Sequence, residues 1–365
     1  MIMFVPDPDN PGRSRQLMVL WSTKETPAIR VSGHWWKPGS RFSIDEDGGH
    51  VIPGMVCAWW YDGKRMYEPL VIRECRMALV NDEHPLWPAD GSGEGTGAII
   101  PILDEDFSLG MRPGNKGIWL CLTSDAEARA EGAPTSFEAE LTPWRGPPST
   151  LTYSNNVYGL DMGYDILRLQ GTKLKLKVDG EEFEGTAYFQ KVSVQAPAFP
   201  WYWGMLHFDD GSYIDWFKPH ATPGMTSMDD RPWRRRDFLR SPAIGTGIFH
   251  DANRGRTENF KRCEVEVSEP DGEEPLRDEQ GNALPRFRIR IWNGRTQISI
   301  DVRACSRARW TFDQPTRAGM VSHLTYNEYP LEVERIAILD EQGLRTIDDY
   351  EWIMGNAEHT WGVLH

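Results

Sequence analysis

The chain has 365 residues, 16 of them Trp and 34 of them Gly, and a formal charge of −14 at pH 7. This acidity argues against a nucleic-acid partner, because phosphate binding needs a basic surface. The abundance of Trp and Gly is typical of turn-rich sheet rather than helix, so we expect an all-β protein. The length exceeds what one small core needs, and we expect two domains, residues 1–180 and 181–365.

The N-terminal sequence MIMFVPDPDNPGRSR has prolines and aspartates where a signal peptide would have an unbroken apolar run. No window approaches the roughly 18 apolar residues of a membrane-spanning helix. We therefore expect a cytoplasmic protein without stable membrane insertion. The five cysteines are far apart and odd in number, which predicts buried reduced thiols rather than disulfides or a zinc site. The oligomeric state is not indicated.

Two pairs of adjacent tryptophans mark predicted strands in the first half of the chain, Trp35–Trp36 and Trp59–Trp60. Neighbouring residues of a strand point to opposite faces, so each pair places one indole on either side of its sheet. The expected strands of this half are separated by turn-rich segments at Asp90–Gly97, Arg112–Gly117 and Pro143–Ser149.

The segment Gly185–His220 predicts two aromatic strands joined by an Asp-Asp-Gly-Ser turn. Strand alternation places Trp201, Trp203 and His207 on one face, together with a methionine. Indole, thioether and imidazole groups together suit the lining of an apolar pocket.

Period-two alternation continues towards the C-terminus. The runs Arg286–Trp292 and Thr296–Val302 are joined through Asn293-Gly294-Arg295, which predicts a hairpin. The segments Leu174–Val178 and Cys263–Val267 also read as strands.

Several aromatic motifs together carry a family resemblance. They are AWWYDGKRMYEPLVI from Ala58, the Gly-x-Ala-Tyr of Gly185–Tyr188, the Trp-x-Trp of Trp201–Trp203 with the Asp-Gly turn after it, and GNAEHTWG at Gly355–Gly362. In these motifs the chain, from about Trp35 to its end, resembles the AttH-like and hydroxyneurosporene-synthase-like proteins, a lipocalin-like family that includes carotenoid 1,2-hydratases.

The resemblance implies two consecutive lipocalin-like antiparallel β-barrels packed on each other, with a ligand between or within them. Enzymes of this kind hydrate carotenoids or prenylated phenolics or cyclise polyenes, so the implied partner is a hydrophobic, unsaturated small molecule. A barrel of about eight strands has room for one such ligand. Where the family commonly has an Asp-His pair after the Gly-x-Ala-Tyr motif, this chain has Gln190 and Lys191.

Hydration of a trisubstituted alkene requires an acid that burial keeps protonated, within walls that stabilise a carbocation. Glu328, Glu358 and Asp215 lie beside aromatics in predicted strands, and each is a candidate for that acid. His207 shares its face with two indoles and is a further catalytic candidate. His359 follows Glu358 directly, so an ideal strand places it on the opposite face.

Cyclisation needs no acid, because a shaped apolar cavity can hold the substrate in a reactive fold while a hydrogen bond assists. Lys191, a fifth catalytic candidate, Gln190 and Tyr188 are potential donors, although Lys191 alternates with the other two. The predicted ligand-binding residues are aromatic or amide side chains in strands: Trp59, Trp60, Tyr188, Gln190, Trp201, Trp203, Tyr326 and Trp361.

Two readings without catalysis stay open, a carrier of the same hydrophobic ligands and an interaction protein that uses exposed tryptophans. The histidines lack the tight spacing of a zinc site, and no dinucleotide or phosphate-loop motif occurs, so we predict neither metal nor cofactor. The arginine-rich run Arg231–Arg240 is suited either to an anionic group or to a solvated loop.

Overall fold

The computed structural model describes residues 1–24, 26–38, 43–80, 83, 98–102, 107–111, 117–125, 130–144, 152–157, 162–195, 200–220, 245–268, 274–315 and 321–363. The arginine-rich run and the predicted turn segment Asp90–Gly97 lie outside these residues. The described part holds 25 strands and a short 3-10 helix at Ile347–Asp349, so the all-β prediction is confirmed. No helix within these ranges has the length and apolar character needed to cross a membrane.

The chain folds as two units, each built on a large antiparallel sheet. Unit 1 comprises Met1–Met3, Leu17–Trp60 and Tyr67–Ala196, and unit 2 comprises Phe4–Gln16, Tyr61–Met66 and Pro197–His365. Short N-terminal segments are thus grouped with the C-terminal half of the chain.

The first fourteen strands run to residue 195. They are β1 (Ile2–Asp7), β2 (Asn10–Ser22), β3 (Ile29–Val31), β4 (His34–Trp36), β5 (Ser43–Ile44), β6 (His50–Tyr61), β7 (Met66–Val80), β8 (Ala98–Ile102), β9 (Phe107–Met111), β10 (Ile118–Thr123), β11 (Ser136–Pro143), β12 (Thr152–Val157), β13 (Met162–Val178) and β14 (Glu181–Gln195).

Neighbouring strands of unit 1 are antiparallel and follow the order β14-β13-β11-β10-β9. In β11, buried residues alternate with solvent-facing ones, and Phe137, Ala139 and Leu141 form the buried row. The long pair β13 and β14 changes register between Leu169 and Thr172, a bulge that bends the two strands together.

The remaining strands belong to unit 2. They are β15 (Trp201–Phe208), β16 (Tyr213–Pro219), β17 (Thr246–Asp251), β18 (Arg256–Phe260), β19 (Cys263–Ser268), β20 (Arg286–Trp292), β21 (Gln297–Ala304), β22 (Ala308–Pro315), β23 (Val321–Asp340), β24 (Gly343–Thr346) and β25 (Ile353–Val363).

The sheet of unit 2 follows the order β18-β17-β16-β15-β25-β23-β21-β20-β19. Both predicted strand pairs are confirmed, since β15 pairs with β16 and β20 pairs with β21. Strand β23 is 20 residues long and pairs with β22 and β25 along its first half but with β21 along its second half. One strand thereby connects the aromatic half of the sheet to its aliphatic half.

The two faces of β15 and its neighbours differ in role. Tyr202, Leu206 and Phe208 point into the hydrophobic core cluster of unit 2, and we call this side the core face. The predicted face with Trp203 and His207 is buried as well, but it is the side opposite the core cluster, which we call the second face.

Candidate functional site

Two glutamates of the second face stand opposite each other on adjacent strands. Glu328 of β23 is the Cα partner of Glu358 of β25, and a hydrogen bond joins their carboxyl groups. Because two carboxylates have no hydrogen between them, this bond requires one proton. Burial, repulsion from Glu358 and that hydrogen bond raise the pKa of Glu328 well above its ordinary value. The raised pKa therefore favours the protonated form of Glu328.

The oxygen atoms of the pair have different surroundings. The indole N–H of Trp201 donates to Oε1 of Glu358, which favours the ionised form of that carboxyl. Oε2 of Glu328 is buried and has no hydrogen-bond partner within the described ranges, and the whole residue is only 5% exposed. A buried oxygen without a partner is costly in a purely structural role, and such groups are candidates for function.

Aromatic rings surround the carboxyl pair, with Tyr326 at their centre. The Trp310 ring stacks on Tyr326 at a centroid distance of 4.9 Å and an interplanar angle of 10°. Trp201 and Phe312 meet the same ring edge-on at 5.4 Å and 5.6 Å. Burial, followed by the charges of Glu358 and Glu328, raises the pKa of Tyr326, so its phenol stays neutral. We call Glu328, Glu358, Trp201, Tyr326, Trp310 and Phe312 the aromatic carboxyl site.

One side of the aromatic carboxyl site is accessible. Trp201, Tyr326 and Glu358 are half-buried, whereas Glu328, Trp310 and Phe312 are buried. The partly exposed residues of the site are thus two aromatic residues and one glutamate, while Glu328 lies deeper.

Three other predicted residues share the second face. Trp203 is the Cα partner of Glu358 on β15, so it lies directly beside the site. Asp215 is buried on β16 as the partner of Met205. His207 is fully buried, and its ring meets Phe4 edge-on at 5.2 Å. Asp215 and His207 thus lie further along the face than Trp203 and Glu358.

The predicted site residues up to Lys191 belong to unit 1. Gln190 accepts hydrogen bonds at Oε1 from the Tyr188 hydroxyl, at 2.6 Å, and from Nε of Arg168, at 3.0 Å. These hydrogen bonds hold the side chains of Tyr188 and Gln190 in place within unit 1. Lys191 points to the opposite face of β14 and is exposed.

The predicted ligand-binding residues Trp59 and Trp60 lie in unit 1. Trp59 and Trp60 are both buried, with 2% and 4% of their surface exposed. The Trp60 ring packs on Phe137 at a centroid distance of 5.5 Å. Both indoles thus contribute to the packing of their unit.

Trp361 and His359 lie on the core face, which confirms the prediction that His359 points away from Glu358. His359 stacks on Tyr202 at 4.4 Å, and Trp361 meets the His359 ring edge-on at 4.8 Å. His220 joins this group through Tyr202, at 4.8 Å, and burial lowers its pKa to about 4. Its Nε2 lies 2.9 Å from the carbonyl oxygen of Thr360. A carbonyl only accepts, so Nε2 carries the hydrogen and Nδ1 is the acceptor.

The sequence did not predict a chain of hydrogen-bonded side chains that share one face of β22 and β23. Nδ1 of His323 lies 2.5 Å from Oδ1 of Asp313, and Nε2 lies 2.7 Å from the Thr325 hydroxyl. All three residues are buried. The spacing of His323 and Thr325 by two residues signals a shared face, but the partner Asp313 depends on strand register. The places of Trp310 and Phe312 in the aromatic carboxyl site were not predicted either, because they too depend on strand register.

No group of three or more His, Cys, Asp or Glu side chains in the described part of the chain is placed to hold a metal ion. No family model and no curated protein matches the chain. Among solved structures, the chain is similar to a protein of Nitrosomonas europaea that is provisionally assigned as an AttH, at 12% identity and a TM-score of 0.44. The match covers 99% of this chain and 90% of that one. These values are too low for that protein to say anything of the activity of this chain.

Proposed function

We propose that this protein is a cofactor-independent enzyme that protonates a C=C bond of an apolar isoprenoid or polyene-like molecule. The pairing of Glu328 with Glu358 across adjacent strands, within aromatic walls, is the observation that carries the proposal. An acid acts at neutral pH only if it is still protonated there, and the raised pKa of Glu328 favours the protonated form.

In the proposed step, the π electrons of the alkene take the proton of Glu328 and form a new C–H bond. Positive charge develops on the other alkene carbon, and Glu328 is left as a carboxylate. The charge of the pair and the rings of Trp201 and Tyr326 stabilise the carbocation electrostatically.

Two outcomes follow from the same cation. In a hydration, the oxygen of water attacks the cation and its surplus proton returns to Glu328, so that one water molecule is added. In a cyclisation, a second C=C bond of the substrate attacks, and an adjacent C–H proton returns to Glu328, so that the product is an isomer. Both sequences regenerate the protonated acid.

The test is turnover of a panel of prenylated and polyene compounds in deuterated water, followed by mass spectrometry. Hydration adds water, cyclisation leaves the formula unchanged, and both place deuterium at the protonated carbon. We expect Glu328→Gln to abolish turnover, a loss of at least about 100-fold for removal of a general acid. The control Glu266→Gln changes an exposed carboxylate of β19 and should not alter the rate. Unchanged turnover in Glu328→Gln would refute the acid mechanism.

The second candidate is a non-catalytic carrier of the same ligands, which the accessible rings of Trp201 and Tyr326 would also serve. Equilibrium binding distinguishes the two, because a carrier binds polyenes without converting them and with an affinity that Glu328→Gln leaves unchanged. We further propose a cytoplasmic location, since all five cysteines are free.

A further inference from the structure

The aromatic carboxyl site combines one negative charge with several aromatic rings. Glu328 and Glu358 face each other on adjacent strands, and the indole N–H of Trp201 donates to Oε1 of Glu358. A donor to Glu358 and the deeper burial of Glu328 both favour a negative charge on Glu358, the more accessible of the two carboxyl groups.

The rings beside that charge have negative faces. Trp201 and Tyr326 are half-buried, their rings are in contact, and the Trp201 indole also contacts Glu358. The Trp310 ring, stacked on Tyr326, and the edge-on Phe312 fix the position of Tyr326. Aromatic faces attract cations, and trimethylammonium groups fit such surroundings because they lose little hydration on entering them.

From this arrangement we infer that the aromatic carboxyl site binds soft organic cations, namely tri- and tetraalkylated ammonium compounds, in preference to neutral molecules of the same shape. The inference rests on the proposed function in one respect, since an ammonium nitrogen occupies the position of the proposed carbocation. It also goes beyond it, because binding requires the charge of Glu358 and not the proton of Glu328.

Two probes of nearly equal shape test the charge preference. Benzyltrimethylammonium and neopentylbenzene differ only in whether nitrogen or carbon carries the three methyl groups. Equilibrium dialysis of the full chain should show that the ammonium compound binds at least about tenfold more tightly, as expected for a cation beside aromatic rings and a carboxylate. Equal affinity of the two probes would overturn the inference.

Variants then test which residues cause the preference for the ammonium compound. Glu358→Gln should abolish the preference, and Tyr326→Leu should weaken ammonium binding several-fold. The matched control Glu266→Gln removes an exposed carboxylate of β19 and should leave both affinities unchanged. A preference that survives in Glu358→Gln would place the cation elsewhere and refute the inference.

Glu328→Gln separates this inference from the proposed function and also serves if Glu358→Gln fails to fold. It removes the proposed acid but leaves the charge of Glu358, so it should retain the ammonium preference while losing turnover. Retained preference in Glu328→Gln, together with a wild-type protein that converts no polyene, would support the cation site and refute the acid mechanism. Lost preference in a folded Glu328→Gln protein would refute the assignment of the charge to Glu358.

Discussion

Glu328 and Glu358 stand directly opposite each other on neighbouring antiparallel strands, with a hydrogen bond between their carboxyl groups. Like charges in that position normally destabilise a sheet. One shared proton replaces the repulsion with a hydrogen bond, at the cost of keeping a carboxyl protonated. Apolar residues at both positions would stabilise the sheet more simply, and this cost is consistent with the function proposed for the pair.

The first prediction is that the Glu328 carboxyl makes stability fall as the pH rises. Its pKa is raised in the folded state, so above the ordinary pKa of glutamate the folded protein holds a proton that the unfolded chain has released. The free energy of unfolding should therefore decrease from about pH 4.5 up to the folded pKa, by at most about 1.4 kcal/mol per pH unit. Urea unfolding of the wild type and of Glu328→Gln across this range measures the effect as the difference between the two proteins. A difference that does not vary with pH would show that Glu328 is ionised when folded.

The second prediction concerns the indole of Trp201. Its N–H donates to Glu358, and a donor to the ionised form lowers the pKa of a carboxyl group. Trp201→Phe keeps an aromatic ring but removes the donor, so the midpoint at which the pair loses its shared proton should move to higher pH. Infrared titration of the carboxyl C=O band measures that midpoint. Trp21→Phe, in unit 1, is the control, and a midpoint that shifts equally in both variants would argue against a specific role of Trp201.

The third prediction is that His220 makes the protein sensitive to acid. Burial lowers its pKa to about 4, and the hydrogen bond to Thr360 offsets only part of that effect. Between about pH 6.5 and the folded pKa, the unfolded chain binds a proton that the folded protein does not, so stability falls as the pH falls. The loss should reach roughly 2 kcal/mol at about pH 5 and be absent in His220→Gln.

Urea unfolding at neutral pH and at about pH 5 tests the role of His220. His34→Gln changes an exposed histidine and is the control. If His220→Gln loses as much stability in acid as the wild type does, His220 is already protonated or solvated in the folded protein.

Local pattern predicted the strands but not the site that they build. The segment Trp201–Phe208 was predicted as a strand with two aromatic faces, and both faces are in fact buried. When both faces of a strand are apolar, the alternation of side chains assigns each residue to one of two faces. It does not indicate which face points into the core. The predicted pocket face with Trp203 and His207 is accordingly the side opposite the core cluster.

The sequence also did not predict which residues pair across strands, for a related reason. Glu328 and Glu358 were each identified as potential acids, but their contact depends on the register between β23 and β25, which a one-residue shift would abolish. The same holds for Asp313 and His323. Lys191, by contrast, was singled out from a family comparison, and strand alternation alone places it on the face away from Gln190.

The fourth prediction concerns a buried ion pair near the end of the core cluster. Arg307 is 2% exposed, and its Nε donates to Asp278 at 2.7 Å while its Nη1 donates to Asn327 at 3.0 Å. Arg307→Met leaves the buried Asp278 without its counter-charge, which should cost about 3–5 kcal/mol of unfolding free energy. The double variant with Asp278→Leu should recover much of that loss, and urea unfolding of both measures the coupling. Equal stability of the single and double variants would show that Asp278 is not left as an uncompensated charge.

The last prediction compares two glycines with different amounts of space around them. A Cβ at Gly204 would overlap the indole of Trp216 and would lie 2.8 Å from the carbonyl oxygen of Asn356, so β15 can approach its neighbours only without a side chain there. Gly204→Ala should therefore cost about 1–3 kcal/mol or more. Gly294, in the turn between β20 and β21, has nothing within 4 Å of the corresponding position, and Gly294→Ala should be neutral or stabilise by up to about 1 kcal/mol, because it restricts the unfolded chain. Thermal and urea unfolding of the two variants test the contrast. If the two variants were similarly stable, β15 and β16 would lie further apart than the contact between Gly204 and Trp216 requires. The aromatic carboxyl site on the other face of β15 would then lack a rigid support.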